Sequence, residues 1–437
     1  MSEKYLQIAS YLPSKNIYGL GEHVHETFRH SLNYVSWPLF SRDRPPMGGQ
    51  KNLYGVHPFY TCLENDGKSH GVLLLNSNAM EVTLLPTPAI SFRTIGGVLD
   101  FFVFVGENPE HVVQLYTSLI GRPILPPYWS LGFQLSRYGY NKLENVKAVV
   151  ERTRNAGIMQ NVQFLDIDHM EGKRDFTWDN NTFAGLPEYI QQTKKNYGLK
   201  WIIILDPAIE VKANYSSYES GINNNVFIRR SPLWPDSIFP PAVQDLNVTF
   251  GRVWPRDIVA FPDFFLKSAK QWWINQIVEH HSKIPFDGLW IDMNEPANFQ
   301  TNEDDPEYCK WDNIPKDQCW ALRCPTSSYD DPPYNPLEKS ESPRLSTMTL
   351  CMESIQGEGN KSYRHYDVHS LYGWSQTLAT KEAAESATGT RSLVISRSTY
   401  PSSGNYSGHW LGDNRSQWPD LHRSIIGMLE FNLFGIP

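Results

Sequence analysis

Several short apolar runs in this chain end in a polar or acidic residue, and segments with helical spacing lie between them. Trp129 to Leu135 leads into Ser136-Arg137-Tyr138, and Val162-Gln163-Phe164-Leu165 into Asp166-Ile167-Asp168. Trp201-Ile202-Ile203-Ile204-Leu205 leads into Asp206-Pro207, and Gly288-Leu289-Trp290-Ile291 into Asp292-Met293-Asn294-Glu295. Ser392 to Ser396 ends at Arg397, and a sixth run lies near His409 to Gly412. Continuous rather than alternating apolar character means strands buried on both faces, which is the mark of a parallel sheet covered by helices. Polar residues collected at the C-terminal ends of such strands are placed as in a (β/α)8 barrel, where the active site occupies that face.

The intervening helices carry their own signals. Lys142 to Ala156 reads as a helix with Asn141 as N-cap, Glu144 three residues on and Gly157 as its stop, and a second lies near Leu186 to Tyr197. The first ~120 residues differ. Gly71 to Leu75, Met80 to Leu84 and Leu99 to Val105 are short apolar or alternating stretches between Gly, Asn and Pro turns, as expected of a β-sandwich. At 437 residues more than one core is needed. The expected fold class is therefore α/β: a β-sandwich domain over 1–123 and a (β/α)8 TIM barrel over 124–437. Insertions are expected at about 210–262 and 301–346, as loops over the C-terminal face; a disordered linker is the alternative for the first. A doubly wound sheet is the structural alternative, but Gly19-Leu20-Gly21 lacks the spacing of a phosphate loop.

Composition removes some functions. A net charge of −8 with no basic stripe argues against nucleic acid or an anionic membrane as partner. The start, Met1-Ser2-Glu3-Lys4-Tyr5, resembles no signal peptide, and no apolar run reaches membrane-spanning length. Aromatic residues make up 13% of the chain, which suits a large core and also suits stacking on sugar rings. Cys309, Cys319, Cys324 and Cys351 cluster, while Cys62 stands alone. Four cysteines without a C-x-x-C pair read as two disulfides in one of three connectivities, with zinc the rival. Sequons begin at Asn180, Asn214, Asn247, Asn360, Asn405 and Asn414, and with the cysteines they favour a secretory route.

Two acids stand out for chemistry. Asp292 follows a short buried strand, and Asp413 lies in His409-Trp410-Leu411-Gly412-Asp413-Asn414, where Trp410 offers a stacking face and the surroundings would raise the Asp413 pKa. Hydrolysis of a glycosidic bond with retention needs a nucleophilic carboxylate and a carboxyl that protonates the leaving oxygen, about 5–5.5 Å apart. The competing role for Asp413 is to cap a helix beginning near Asn414 to Trp418. Metal and serine-nucleophile motifs fail on spacing: His25-Glu26…His30 is not H-E-x-x-H, and Gly404 to Gly408 is not G-x-S-x-G.

Trp290-Ile291-Asp292-Met293-Asn294-Glu295, Arg397-Ser398-Thr399 and His409 to Asn414 together resemble the signatures of glycoside hydrolase family 31, in its α-glucosidase branch. The resemblance runs from Tyr18-Gly19-Leu20-Gly21-Glu22-His23 to Phe434-Gly435-Ile436-Pro437. It implies a retaining, exo-acting α-glucosidase without cofactor or metal, acting on α-glucoside oligosaccharides. In that scheme Asp292 is the nucleophile, Asp413 the acid and base, and Glu295 a supporting acid. Asp166 would bond hydroxyls of the terminal glucose, with Ile167 beside it, and Arg397 would hold that sugar and keep Asp292 ionised. Ile209, Trp254, Trp290, Met293 and Trp410 would form apolar walls, and Tyr138 and Asp43 the next subsite. Pro45 stands where close relatives often offer a hydroxyl.

The same resemblance implies family segments before Met1 and after Pro437, any membrane tether among them. Phe431 to Pro437 is then expected to begin a seventh strand of an incomplete barrel whose final strands are missing. That leads to the expectation of little activity from this chain alone, and to a rival reading as an inactive carbohydrate-binding product of the same family.

Overall fold

The computed structural model describes residues 2–311, 313–316, 319–336 and 343–437. The chain opens with eight antiparallel strands: β1 (Leu6–Tyr11), β2 (Asn16–Gly21), β3 (Val35–Leu39), β4 (His57–Leu63), β5 (Ser69–Leu74), β6 (Met80–Leu85), β7 (Ala89–Thr94) and β8 (Phe101–Gly106). They form two four-stranded sheets, in the orders β1-β7-β6-β3 and β2-β4-β5-β8. Ile17, Tyr60 and Leu74 from one sheet meet Trp37, Val82 and Phe92 from the other in a shared apolar cluster, which makes the pair a sandwich. Helix α1 (Pro109–Ile120) then covers the outer face of the second sheet through Val112 and Tyr116, its start capped by Asn108, which accepts from His111 N–H.

The barrel begins with β9 (Phe133–Leu135) and continues through α2 (Leu143–Asn155), β10 (Gln160–Leu165), α3 (Leu186–Tyr197) and β11 (Lys200–Leu205). An insertion follows, holding β12 (Ile209–Glu210), α4 (Ser216–Asn223), β13 (Phe250–Gly251) and β14 (Val259–Ala260). Then come α5 (Lys267–Lys283), β15 (Gly288–Ile291), α6 (Glu307–Trp311), the hairpin β16 (Ile355–Glu358) and β17 (Lys361–Arg364), α7 (His365–Val368) and α8 (Tyr372–Thr388). The last elements are β18 (Leu393–Ser396), β19 (Gly408–His409) and α9 (Trp418–Leu433). Six of these strands pair in parallel in the order β19-β18-β15-β11-β10-β9.

Alternate residues of each strand enter different cores, because side chains along a strand point to opposite faces. Trp201, Ile203, Leu205, Leu289, Ile291 and Val394 face the helical layer. Ile202, Ile204, Trp290, Leu393 and Ile395 face inward with Phe164 and Ile167. Both faces being dry explains why the strands read as unbroken apolar runs.

Two expectations change, for the α2 cap and for residues 431–437, and two open alternatives close, for the first insertion and the cysteines. Asn141 does not cap α2: the helix starts after Lys142, and Asn141 has a left-handed φ of 63° and donates its N–H to Asp168 at 2.6 Å. Residues 431–437 hold no strand; Phe431 to Leu433 complete α9, and Phe431 together with Phe434 and Ile436 beyond the helix end docks on the sandwich. The first insertion is an ordered three-stranded sheet, β12-β14-β13, rather than a linker. The four clustered cysteines pair as Cys309–Cys319 and Cys324–Cys351, which sets zinc aside for them, while Cys62 is a buried free thiol.

Candidate active site

The site is assembled by strand register. Ile291 lies opposite Ser396, so the next residues, Asp292 and Arg397, leave neighbouring strands side by side. The ladder continues past both: Asp292 N–H donates to Leu205 O at 3.1 Å and Arg397 N–H to Ile291 O at 3.1 Å. Arg397 Nε lies 2.9 Å from Asp292 Oδ1. The same guanidinium grips Glu295 with two bonds, Nε to Oε1 at 2.8 Å and Nη2 to Oε2 at 2.7 Å. Its third nitrogen, Nη1, lies 3.3 Å from Oδ1 of Asp43, which reaches in from the sandwich domain. Arg397 is only 3% exposed, so one buried cation is shared among three carboxyls.

Electrostatics follow from burial and from that cation. Burial pushes the Asp292 carboxyl up to about 6, while Arg397 and the Met293 N–H (2.7 Å to Oδ1) pull the other way, and Asp413 and Asp43 add to the rise. Burial takes Glu295 up to about 7 against the same guanidinium. Burial also opposes the charge on Arg397, but Asp292, Glu295 and Asp43 outweigh it and hold the side chain protonated. Met293 sits at a φ of 56°, a conformation L side chains adopt at a cost and one that gathers at functional sites. Behind them Asn294 donates to Ser396 Oγ and accepts from Ser398 N–H, tying the two strand ends together.

Across the site lies a cavity of about 740 Å³ whose lining includes Tyr138, Phe164, Asp166, Trp290, Trp410 and Asp413. Asp166 leaves the end of β10 and accepts from Ile167 N–H at 2.6 Å. Burial drives its carboxyl up to about 7 against that N–H, with Asp292, Asp168 and Asp413 adding to the rise. Trp290 and Trp410 meet edge to face at 5.3 Å, forming an aromatic corner. Trp254, half-buried, packs edge-on to Phe299 at 4.9 Å and touches the inward-facing cluster. Tyr138 stands exposed at the rim.

The structure brings most of the named residues together, with exceptions. Asp413 is exposed, so the apolar enclosure expected around it is absent. It also lies outside α9, which begins at Trp418, so it does not cap that helix. Ile209 is fully buried in the outer core and pairs with Ala260, away from the inward cluster. Met293 likewise turns its side chain into the outer core. Ile204 holds the inward position that Ile209 does not, and the alternation within Trp201 to Leu205 was the available signal. Tyr54 was also missed: fully buried, it lies under Arg397, ring centre to guanidinium 4.8 Å. No local pattern marks it. Asp175 and Asp206 form a further buried pair, Asp206 N–H donating to Asp175 Oδ1 at 3.0 Å, and burial raises both carboxyls.

Acids and an arginine gathered at the C-terminal ends of parallel barrel strands occupy the face where barrel enzymes keep their active sites, which puts the chain in the class of barrel enzymes. Residues 123–437 match the model described as the glycosyl hydrolases family 31 TIM-barrel domain. The chain belongs to glycosyl hydrolase family 31. Over its whole length it is 45% identical to probable maltase-glucoamylase 2 of Homo sapiens, of which it covers 17%, and 44% identical to intestinal sucrase-isomaltase of Homo sapiens, of which it covers 22%. It is 39% identical to lysosomal alpha-glucosidase of Mus musculus, covering 42% of that protein. The chain thus spans about a sixth to two fifths of these relatives. A crystal structure of glucosidase II alpha subunit superposes on 99% of the chain and 43% of its own length, with a TM-score of 0.78 at 22% identity, which shows the shared fold.

Proposed function

We propose that the site hydrolyses terminal α-linked glucose from maltose-type oligosaccharides by double displacement. The observation that carries this reading is the Arg397 cluster: a buried cation held 2.9 Å from Asp292 favours the carboxylate over the acid, as a nucleophile requires. Asp292 attacks C1 of the glucose while Asp413 gives its proton to the departing glycosidic oxygen. Asp413, now a carboxylate, takes a proton from water, which attacks C1 and releases Asp292 with the α configuration restored. Glu295 and Asp43 fix the guanidinium, and Asp43 thereby serves the first sugar's site rather than the next. Asp166, with Ile167 beside it, bonds hydroxyls of the terminal glucose, and Trp290 and Trp410 pack on its apolar faces. Tyr138 meets the following sugar. The boundary of this unit is taken at residues 123–124, between sandwich and barrel.

A secretory route fits the same reading. All six sequon asparagines are exposed and two disulfides form. Among the described residues no helix is long and apolar enough to cross a membrane.

The test is proton NMR of the glucose first released by this chain from p-nitrophenyl α-glucoside, which yields a single sugar. The α anomer should appear before mutarotation. Initial β anomer contradicts double displacement, and binding of a non-cleavable glucose mimic without any release favours the non-catalytic reading.

A further inference from the structure

Asp413 sits on an exposed segment, yet a general acid must be held within a fraction of an ångström of its working place. Within that segment Asn414 N–H donates to Gly412 O at 2.9 Å, and from the other domain Tyr54 reaches it. Tyr54 belongs to a short segment of the sandwich domain pinned at each neighbour: Arg42 N–H donates to Leu53 O at 2.7 Å, Gly55 N–H to Glu22 Oε2 at 2.9 Å, and Val56 N–H to Thr399 O at 2.9 Å. Its ring therefore has little freedom. One side lies 4.8 Å from the Arg397 guanidinium, the group that orients Asp292. Its hydroxyl end meets the acid loop: Asp413 N–H points to the Tyr54 hydroxyl at 3.5 Å, and a Cβ on Gly412, whose φ is 82°, would come within 2.3 Å of the ring's Cε2 and hydroxyl.

We propose that Tyr54 is a positioning residue whose ring, wedged between Arg397 and the Gly412–Asp413 turn, sets the separation of nucleophile and acid. The inference rests on the glycosidase reading above and extends it, because it has the sandwich domain space the two acids and not only hold Arg397 through Asp43. Glu22 supports the same loop from the same domain: it bonds His409 Nε2 at 2.8 Å, while Nδ1 of that ring bonds Ser396 O at 2.9 Å.

The experiment compares kcat and KM for maltose and for a p-nitrophenyl α-glucoside, whose leaving group needs less help from an acid. Tyr54→Ala should lower kcat on maltose by about 100-fold, the scale of a 1 Å misplacement, with KM moving less and the aryl substrate losing several-fold less. Tyr54→Phe keeps the ring and should retain most activity. Gly412→Ala pushes on the same contact from the acid side, and should show the same dependence on leaving group even if Tyr54→Ala does not fold. Equal losses on both substrates in either variant, or wild-type rates in Tyr54→Ala, overturn the inference while leaving the glycosidase reading intact. A wild-type chain inert on both substrates overturns the reading and the inference together.

Discussion

Arg397 is the residue on which the site turns, because it lowers the cost of placing carboxyls where water is scarce. Removing a buried cation leaves its partners to protonate rather than stay charged and unpaired. The sign for activity follows. Under the proposed double displacement Asp292 must be ionised to attack, and its carboxyl is pushed up to about 6, so kcat/KM should fall as pH drops through about 6. Arg397→Gln removes the main opposing influence, so the acid limb should move to higher pH along with an overall loss of rate. A pH profile of the variant on an aryl α-glucoside reads this directly, and an unmoved limb would refute the role given to the guanidinium. Residue roles were partly legible beforehand. Asp292, Asp166 and Arg397 follow strand ends and could be found from the runs that precede them. Alternation along Trp201 to Leu205 points Ile204 inward while Ile209 lies beyond that strand, whereas Tyr54 and Asp43 reach Arg397 across more than 300 residues of chain, where no local pattern operates.

At the level of elements, β15 carries the site, and its first residue shows how tightly. Gly288 lies between Ile202 and Leu393 in register, and a Cβ there would come within 2.8 Å of Leu393 O and 3.1 Å of Ile202 Cγ1. Gly288→Ala should cost about 1–3 kcal/mol by overpacking and shift the strand that holds Asp292. Urea unfolding monitored by tryptophan fluorescence gives the loss, and a change under ~0.5 kcal/mol would contradict the packing argument. The strands themselves were readable because burial on both faces removes polar residues from the run; β15 spans the Gly288 to Ile291 stretch picked out by hydropathy alone. Ends were harder. Asn141 does not cap α2 because its φ of 63° lies outside the extended region a cap needs, which leaves Lys142 at that position. Phe431 to Pro437 looked like a strand because its apolar residues answer to the sandwich surface, which a one-dimensional pattern does not display.

For the molecule as a whole, two surfaces meet and one lies bare. Sandwich and barrel are joined by Asp43 and Tyr54 at the site, and by a buried bond from His25 Nδ1 to Glu430 on α9. The solvent side of α9, however, exposes Trp418, Leu421, Ile425 and Met428 in helical register, beside an apolar groove of about 670 Å³. The edges of the parallel sheet, β9 and β19, have no further strand partner among the described residues. Exposed apolar stripes and open edges both promote association. The isolated chain should therefore self-associate at micromolar concentration, and Ile425→Glu with Met428→Glu should reduce it. Sedimentation velocity decides between this and a monodisperse monomer, which would contradict it.

The central claim is that Asp292 forms a covalent bond to the sugar. Incubation with 5-fluoro-α-glucosyl fluoride, followed by proteolysis and mass spectrometry, tests it most directly. The account predicts one added fluoroglucosyl group, on the peptide containing Asp292. A label on Asp166, Asp206 or Glu295 instead, or an unlabelled chain, would contradict it.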